Sequence, residues 1–585
     1  MTTSKPCPSP RALSLAASVA WRHVTGDPVR ALLLVGRVLP GPARPWLRLA
    51  GPYGRAAALW GAGDRDAALA AVGASPRRLA AFSLAVDQSA IAASAVADLA
   101  RDDRARPVLT ARLAWREGRL TEAIEALDGA HDAQGAHGAH GAHGARGARA
   151  RRLRDTLAAE RAIFDGASLR WPSGGTRKAS AVPGRILHLV TDALPVTSAG
   201  YTIRTHEIVL AQRAAGLDPH VVTGCGYPVT QGRIDGRRLV LVDGIPYHRL
   251  LPALMPGPKD PDRGLVLAAR LTDRIRPAVL HAASNFANAR IALALRERYG
   301  LPVVYEVRGF WEDTWLSRHP DAGQLALSEL YLKYRALETR CMLAADLVVT
   351  LGEAMREEIL ARGVPAAKVL VVPNAVAPEF LRPLPDAGAL RQELGIDPGE
   401  YVVGVVSTLT RYEGIGTLLE ATGQLRDRGV PVRALIVGDG PERAALQRQA
   451  TARGLSRAAI FTGRVPAAKV REFHALLDIF VVPRTPDRVC QLVTPLKPVE
   501  AMASGLCVVT SEVKALTEII KHEVTGALTV PQDPVLLANC LEHLLYSPDI
   551  RRKLGDNARE WVAGDRTWAR NAARYRDAYA RLGAT

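Results

Sequence analysis

The sequence predicts two doubly wound, parallel α/β domains facing a cleft, preceded by an all-α region. Three observations carry this prediction. Residues 1–180 are dominated by alanine and arginine and hold almost no strand-like run. From Arg185 onward, short β-branched apolar runs alternate with helical patterns, as βαβ units in a parallel sheet do. The alternation breaks once, at the proline-rich stretch 373–388, and then restarts. Two such sets joined by one hinge leave a cleft, and open parallel sheets bind ligands beyond the carboxyl ends of their strands.

The 585 residues suit three or four domains at roughly 150 residues each. Hydrophobic residues make up 48% and charged residues 23%, a globular balance. The formal charge of +18 fits a phosphate-rich partner or an anionic membrane surface. Arginine-heavy coding bias gives the same number, so charge alone decides nothing, and no nucleic-acid partner is expected. Six cysteines are scattered at 7, 225, 341, 490, 507 and 540 without metal-ligand spacing, which fits a reducing, cytoplasmic setting. No apolar run approaches ~18 residues, so no spanning helix is expected, and no signal peptide is read.

In chain order, residues 1–134 read as a helical region. The segments 56–72 and 111–127 rhyme: small and aromatic residues, a glycine turn, then an amphipathic helix. They resemble degenerate tetratricopeptide-type hairpins, although two units fall short of the three a solenoid needs. The stretch Arg30–Ala50 mixes arginines with Leu32, Leu33, Leu34, Val35 and Trp46, and residues 1–180 are a candidate surface for a peripheral membrane or protein partner. Residues 135–182 read as a low-complexity and helical linker. Its tract 135–150 offers His137, His140 and His143 to a metal, but glycine at every third position opposes a fixed helix and favours a flexible tract.

The first α/β domain is expected over 183–377, with strands at 185–190, 220–224, 278–282, 303–307, 347–351 and 369–373. A hinge follows (378–399). The second domain spans 400–564, with strands at 401–407, 434–438, 460–463, 479–483, 507–511 and 526–531. The last segment, 565–585, reads as a helix crossing back to the first domain.

The chemistry is densest in VTPLKPVEAMASG (493–505). Thr494 can cap a helix with Pro495 in its first turn, or the helix begins nearer Pro498; either way Gly505 ends it. Lys497 beside free backbone N–H groups makes an anion site. Glu500, on the same face at i,i+3, suits a ribose diol, since one carboxylate accepts from both hydroxyls. A surface Lys–Glu pair is the alternative.

That stretch, with LIVGDGPERAAL (435–446), FTGRVP (461–466), LLDIFVVPR (476–484), VVPNAV (371–376) and GYTIRTHEIVLAQRAAGLDPHVVTG (200–224), resembles the GT-B retaining glycosyltransferases of family four over roughly residues 183–583. The resemblance implies two Rossmann-like domains and a nucleotide-diphosphate sugar as co-substrate. It also implies transfer to a cell-envelope, polysaccharide or small-molecule acceptor with retention of anomeric configuration. It assigns the ribose to Glu500, the nucleobase loop to Gly463 and Arg464, a donor-side turn to Gly438, Asp439 and Gly440, and a loop over the diphosphate to Gly200. Thr494 and Lys497 stand in the donor motif.

Three departures stand out. Leu492 occupies the place of a sugar-contacting glutamate, eight positions before Glu500. Glu413 precedes Gly414 where a lysine is usual. Arg308 stands where a histidine often follows the fourth strand. Lys497 and Arg411, with Arg484 and Arg488 behind them, are the expected substitutes for positive charge, and Arg308, Glu306 and Glu312 are expected to line the cleft or to form interdomain salt bridges. Arg411, Lys497 and Arg308 are the candidate catalytic groups. No cofactor or metal is expected, because no acidic pair is placed to hold one. A sugar-nucleotide epimerase of similar shape, or a non-catalytic adaptor with a decayed transferase domain, remain the alternatives.

Overall fold

Fourteen strands form two sheets in the computed structural model, which describes residues 8–38, 47, 50–61, 63–135, 142–169, 171, 180–257, 262–319 and 322–584. The first sheet contains β1 (Arg185–Val190), β2 (Asp218–Thr223), β3 (Leu239–Val242), β4 (Ile245–Arg249), β5 (Val279–Ala283), β6 (Val303–Glu306), β7 (Leu347–Thr350) and β8 (Val369–Val371). Their order is β3-β4-β2-β1-β5-β6-β7-β8, parallel except for the antiparallel β3–β4 pair. The second sheet contains β9 (Tyr401–Val406), β10 (Val432–Val437), β11 (Ala459–Gly463), β12 (Ile479–Val482), β13 (Cys507–Ser511) and β14 (Ala527–Thr529), in the order β11-β10-β9-β12-β13-β14 and parallel throughout. Near-continuous burial of these strands, as in β1 and β9, is what a sheet covered on both faces requires.

Each sheet reverses direction once. The chain runs outward from β1 through β2 to the β3–β4 pair and then jumps back to β5 on the other side of β1; in the second sheet it runs β9, β10, β11 and then jumps to β12. Neighbouring connections leave those two points in opposite directions, opening a crevice beyond the strand ends.

The predicted strands are present, and the sheet adds the hairpin β3–β4. Its turn is Asp243-Gly244, both residues at positive φ (47° and 79°), the geometry of a tight hairpin turn.

The N-terminal region is helical, and it holds one more hairpin than expected. The pairs Gly51–Gly61 with Arg65–Val72, Pro76–Ala85 with Ser89–Ala97, and Arg106–Arg116 with Leu120–Gly135 make three. The flexible-tract expectation fails from residue 142, where the helix Ala142–Phe164 begins inside the repeat. Its Leu157 packs among Ala111, Ala114 and Leu127, and this burial outweighs the local cost of glycine, about 1 kcal/mol per residue. His137, His140, Trp46 and the side chain of His143 lie outside the described residues. Leu33 is buried among Ala56, Phe82 and their neighbours.

Two side chains of this region complete the first domain's core. Leu120 and Phe164 join Leu189, Leu280 and Tyr305 in one cluster, with Phe164 edge-on to Phe286 at 5.9 Å. The terminal helix Trp568–Arg581 returns to the first sheet, where Tyr575 and Tyr579 are fully buried against Ile186, Val279 and Val304.

Candidate active site

The site forms where the carboxyl ends of the two sheets meet. On the second domain, β9 leads into a short turn at Arg411–Glu413, and β12 leads through Arg488–Leu492 to the helix Lys497–Ala503. That helix starts at Lys497, with Leu496 ahead of it and Pro498 in its first turn. Thr494 therefore does not cap it. Its Oγ1 is buried and unpartnered, while its carbonyl accepts from Asn374 Nδ2 at 2.8 Å. Gly505, at φ 78°, closes the helix C-terminus.

Lys497 Nζ donates to Glu500 Oε2 at 2.9 Å. This is not a surface pair: Glu500 is only 4% exposed, while the lysine keeps part of its side chain in the open. One carboxylate oxygen and the ammonium group thus face each other at the edge of the crevice.

The turn after β10 and the end of β11 lie side by side, since Gly438 N–H donates to Gly463 O at 3.0 Å. Gly438 has φ 144°, and a Cβ there would stand 1.8 Å from Ser407 O, so only glycine fits. Asp439 accepts from Gly440 N–H and faces Arg443 at 3.8 Å. Arg464 is exposed. Gly438, Asp439, Gly463 and Arg464 therefore share one rim, and Thr494, Lys497 and Glu500 share the next, across the end of β9.

On the first domain, Gly200 opens the helix Gly200–Ala214. A Cβ at Gly200 would meet nothing within 4 Å, so the N-terminus of a 15-residue helix gives onto open space. Beneath it lies an ion network around the fully buried Glu306. Glu306 takes Arg204 Nε at 2.8 Å, His281 Nε2 at 2.9 Å and Arg308 Nη2 at 3.0 Å. Burial alone would raise the Glu306 carboxyl, but Arg308 and Arg204, with the His281 hydrogen bond, hold it well below its usual range. Burial pushes His281 down. Two guanidinium groups thus oppose one carboxylate below the helix start, leaving a net positive charge there.

Several expectations need correction. Glu306 does not line the cleft; it is enclosed by these three partners. Glu312 is also enclosed, 2.7 Å from Arg362 though not aligned as a hydrogen bond. Arg308 is nearly buried and braces the first turn of the Gly200 helix through Tyr201 O (2.9 Å) and Thr205 Oγ1 (2.6 Å). Arg411 reaches across to the first domain, donating to Ser317 O at 2.9 Å and pairing with Asp487 at 3.3 Å. Arg484 is committed to Glu413 at 2.7 Å, and Arg488 to Asp313 and Glu358 of the first domain at 3.1 and 2.7 Å. Among the expected cations around the diphosphate, Lys497 is the one paired only to its neighbour three residues on.

The other two departures, besides Arg308, also have structural partners. Glu413 neutralises buried Arg484, and Leu492 packs into the first domain's core. Glu518 of the second domain accepts from Glu353 N–H at 2.9 Å at the start of the first-domain helix Glu353–Ala361. Together with Arg488 and Arg411 these contacts close one edge of the crevice.

Three participants were not anticipated. Arg204 donates to Asn374 Oδ1 at 3.1 Å within the first domain, and Asn374 in turn crosses to the second by donating to Thr494 O. Glu207, on the same helix as Gly200, is pushed up to about 7 by burial and then by the charges of Glu379, Glu500 and Asp243. Arg204 and Glu207 both lie within the quoted GYTIRTHE motif, whose helical spacing places them one turn and two turns below Gly200. Among the described residues no three His, Cys, Asp or Glu side chains gather as a metal site.

Comparison with known proteins agrees with this architecture. Residues 199–375 match the glycosyl transferase 4-like domain, and residues 386–561 match the glycosyl transferases group 1 domain. A GDP-mannose-dependent α-(1-6)-phosphatidylinositol monomannoside mannosyltransferase of Mycolicibacterium smegmatis is 30% identical over 234 residues, 39% of this chain and 61% of that protein. The chain spans 56% to 61% of the length of the first curated relatives it matches. Among solved structures, sucrose-phosphate synthase from Thermosynechococcus elongatus superposes with a TM-score of 0.56 at 21% identity, over 68% of this chain and 99% of that one. Anabaena HepE in complex with UDP-glucose superposes at 0.52 and 19% identity, over 68% and 99%. With the two domains in sequence, their strand orders and these matches together, the chain belongs to the GT-B glycosyltransferases of the group 1 type.

Proposed function

We propose that the protein transfers a sugar from a nucleoside-diphosphate sugar to a hydroxyl acceptor of a glycoconjugate, polysaccharide or small molecule, with retention of anomeric configuration. The observation that carries this reading is the opposition of two features across the crevice: buried Glu500 with Lys497 on one side, and the open N-terminus at Gly200 on the other. Glu500 accepts from the ribose hydroxyls. Lys497 and the free N–H groups at Gly200, over the net positive Arg204–Glu306–Arg308 cluster, hold the diphosphate. The rim of Gly463 and Arg464 meets the base.

In the transfer, the bond between the anomeric carbon and the phosphate oxygen breaks. The acceptor oxygen bonds to the same face of the sugar, and its proton passes to the departing phosphate. Fixed positive charge at the leaving group lowers the barrier because it need not reorganise during reaction. The charge comes from side chains and backbone, so no metal is required. The relatives support the donor class: the mycobacterial enzyme is named for GDP-mannose, and HepE holds UDP-glucose. No helix among the described residues is long and apolar enough to cross a membrane, and we place the reaction in the cytoplasm.

The test is nucleotide release from UDP-, GDP- and ADP-sugars in excess chelator, with NMR of the product linkage. Release that persists in chelator, with a retained anomeric configuration, supports the reading. Release that stops in chelator and returns with magnesium or manganese overturns the metal-free part. Conversion of the donor to an epimeric free sugar, or absence of nucleotide binding, overturns the transfer itself.

A further inference from the structure

The helix Pro10–Gly26 has two faces of different fate. Its inner face is anchored to the first domain: Leu15 is buried with Val229 and Leu251, Ser18 Oγ accepts from Met255 N–H at 3.0 Å, and Arg22 Nη2 donates to Met255 O at 2.7 Å. On the outer face, Leu13, Trp21 and Val24 are 52%, 65% and 53% exposed. Their spacing of eight and three residues puts them on one stripe, with Ala17 and Ala20 between them. The segment against which the helix lies also shows apolar side chains: Leu254, next to Met255, is exposed, and so are Leu239 and Leu241 on one side of edge strand β3, three residues beyond Gly236, which Ser9 at the start of the helix approaches.

The sequence of this region is basic: residues 1–50 contain seven Lys and Arg against one acid, Asp27, a net +6. That aspartate is already paired with Arg112 at 3.2 Å. Arg11, Arg30 and Arg238 are exposed. A large exposed tryptophan, aliphatic side chains and arginines without matching acids, on a helix lying flat against its own domain, are the components of an interfacial membrane helix. A soluble monomer rarely leaves such a patch uncovered.

We propose that the outer face of Pro10–Gly26, with the exposed side of β3, docks the protein onto an anionic lipid surface. The face lies outside the Leu32–Val35 stretch, part of which is consumed in packing. Because the inner face is already bound, the helix need not fold on arrival. The proposal does not depend on the donor assignment.

The test is co-sedimentation of the full chain with vesicles of phosphatidylcholine alone and of phosphatidylcholine mixed with phosphatidylglycerol. The variant Leu13→Ser/Trp21→Ser/Val24→Ser keeps the charge and removes the stripe. Wild type is expected to bind the anionic vesicles and to bind the neutral ones weakly. The variant is expected to lose about tenfold or more in partitioning, with its melting temperature and nucleotide binding unchanged. If that variant does not fold, Leu239→Ser/Leu241→Ser, on the other element of the face, is held to the same criterion. Absence of wild-type binding to anionic vesicles at low salt overturns the proposal, as does equal binding by wild type and variant. An oligomer of wild type that the variant dissolves, with no lipid binding, shows the face to be a protein interface and overturns it too.

Discussion

Replacing Glu413 by lysine supplies the residue that the motif's relatives often carry, and by that logic it should improve the grip on a diphosphate. The structure predicts the opposite. Glu413 and Arg484 are both buried, 2.7 Å apart, and Arg484 also donates to Val493 O at 3.0 Å. A lysine at 413 removes the counter-ion of a buried guanidinium and adds a like charge beside it. Breaking a buried pair from one side costs about 3–5 kcal/mol. At about 2–4 °C per kcal/mol for a domain of this size, the second domain should melt roughly 10 °C earlier. Glu413→Lys/Arg484→Glu should recover much of the loss, and the four proteins of the cycle give the coupling directly. The assay is differential scanning calorimetry with and without nucleotide, beside calorimetric titration of the nucleotide. If Glu413→Lys melts within about 2 °C of wild type and binds nucleotide more tightly, Glu413 is not the counter-ion and position 413 faces the donor.

Three other outcomes are expected. Glu500→Ala should weaken nucleotide binding by about 2–4 kcal/mol, the loss of two hydrogen bonds to a charged group, with an unchanged melting curve; unchanged affinity would remove the ribose assignment. Phe164→Ala should destabilise by about 3–5 kcal/mol, because the ring sits against Phe286 and Tyr334 at 5.9 and 5.3 Å; a silent substitution would show that the helical region is not part of the first core. Glu207 is raised from 4.5 to about 7, so the folded protein holds its proton more tightly than the unfolded chain. Stability from this group is therefore full below about pH 4.5 and declines as pH rises through about 7. Glu207→Gln should flatten that decline, and parallel stability–pH curves for the two proteins would refute it.

What was legible in the sequence is what is local. The six strands of the second sheet announced themselves as apolar runs, and Lys497 with Glu500 declared their pairing by i,i+3 spacing. The β3–β4 hairpin carried its own signal, Asp243-Gly244 between apolar runs, but the histidine and arginine in β4 blurred the alternation. The middle helical hairpin, residues 76–97, lacks the glycine turn that marks its neighbours and turns at Asp87 instead, φ 66°. The arginines were misjudged because their partners are distant in sequence. Arg484 pairs 71 residues away, Arg411 reaches 94 residues and Arg488 reaches 175. An acid at a strand end gives no sign of whether it faces a cleft or a buried arginine, so the sequence leaves both open for Glu306 and Glu312, and the structure pairs each with arginine.

The return of the terminal helix bears on how the chain is made. Tyr575 and Tyr579 fill the first domain, Asn571 Nδ2 donates to Pro373 O at 2.8 Å, and Gln212 donates to the Tyr579 hydroxyl at 3.0 Å. The first sheet is complete by residue 371, yet one of its faces waits for side chains near residue 579. At about 5–20 residues per second, translation of the intervening stretch takes roughly 10–40 s. During that time Ile208, Ala211 and Leu217 of the first domain cover this face only in part, while the second sheet, contiguous in sequence, can close over its own core. The domain that is synthesised first is therefore the one completed last. A chain halted just before Trp568 would lack the indole and both tyrosine rings that finish this cluster, so its first domain would keep that apolar surface exposed.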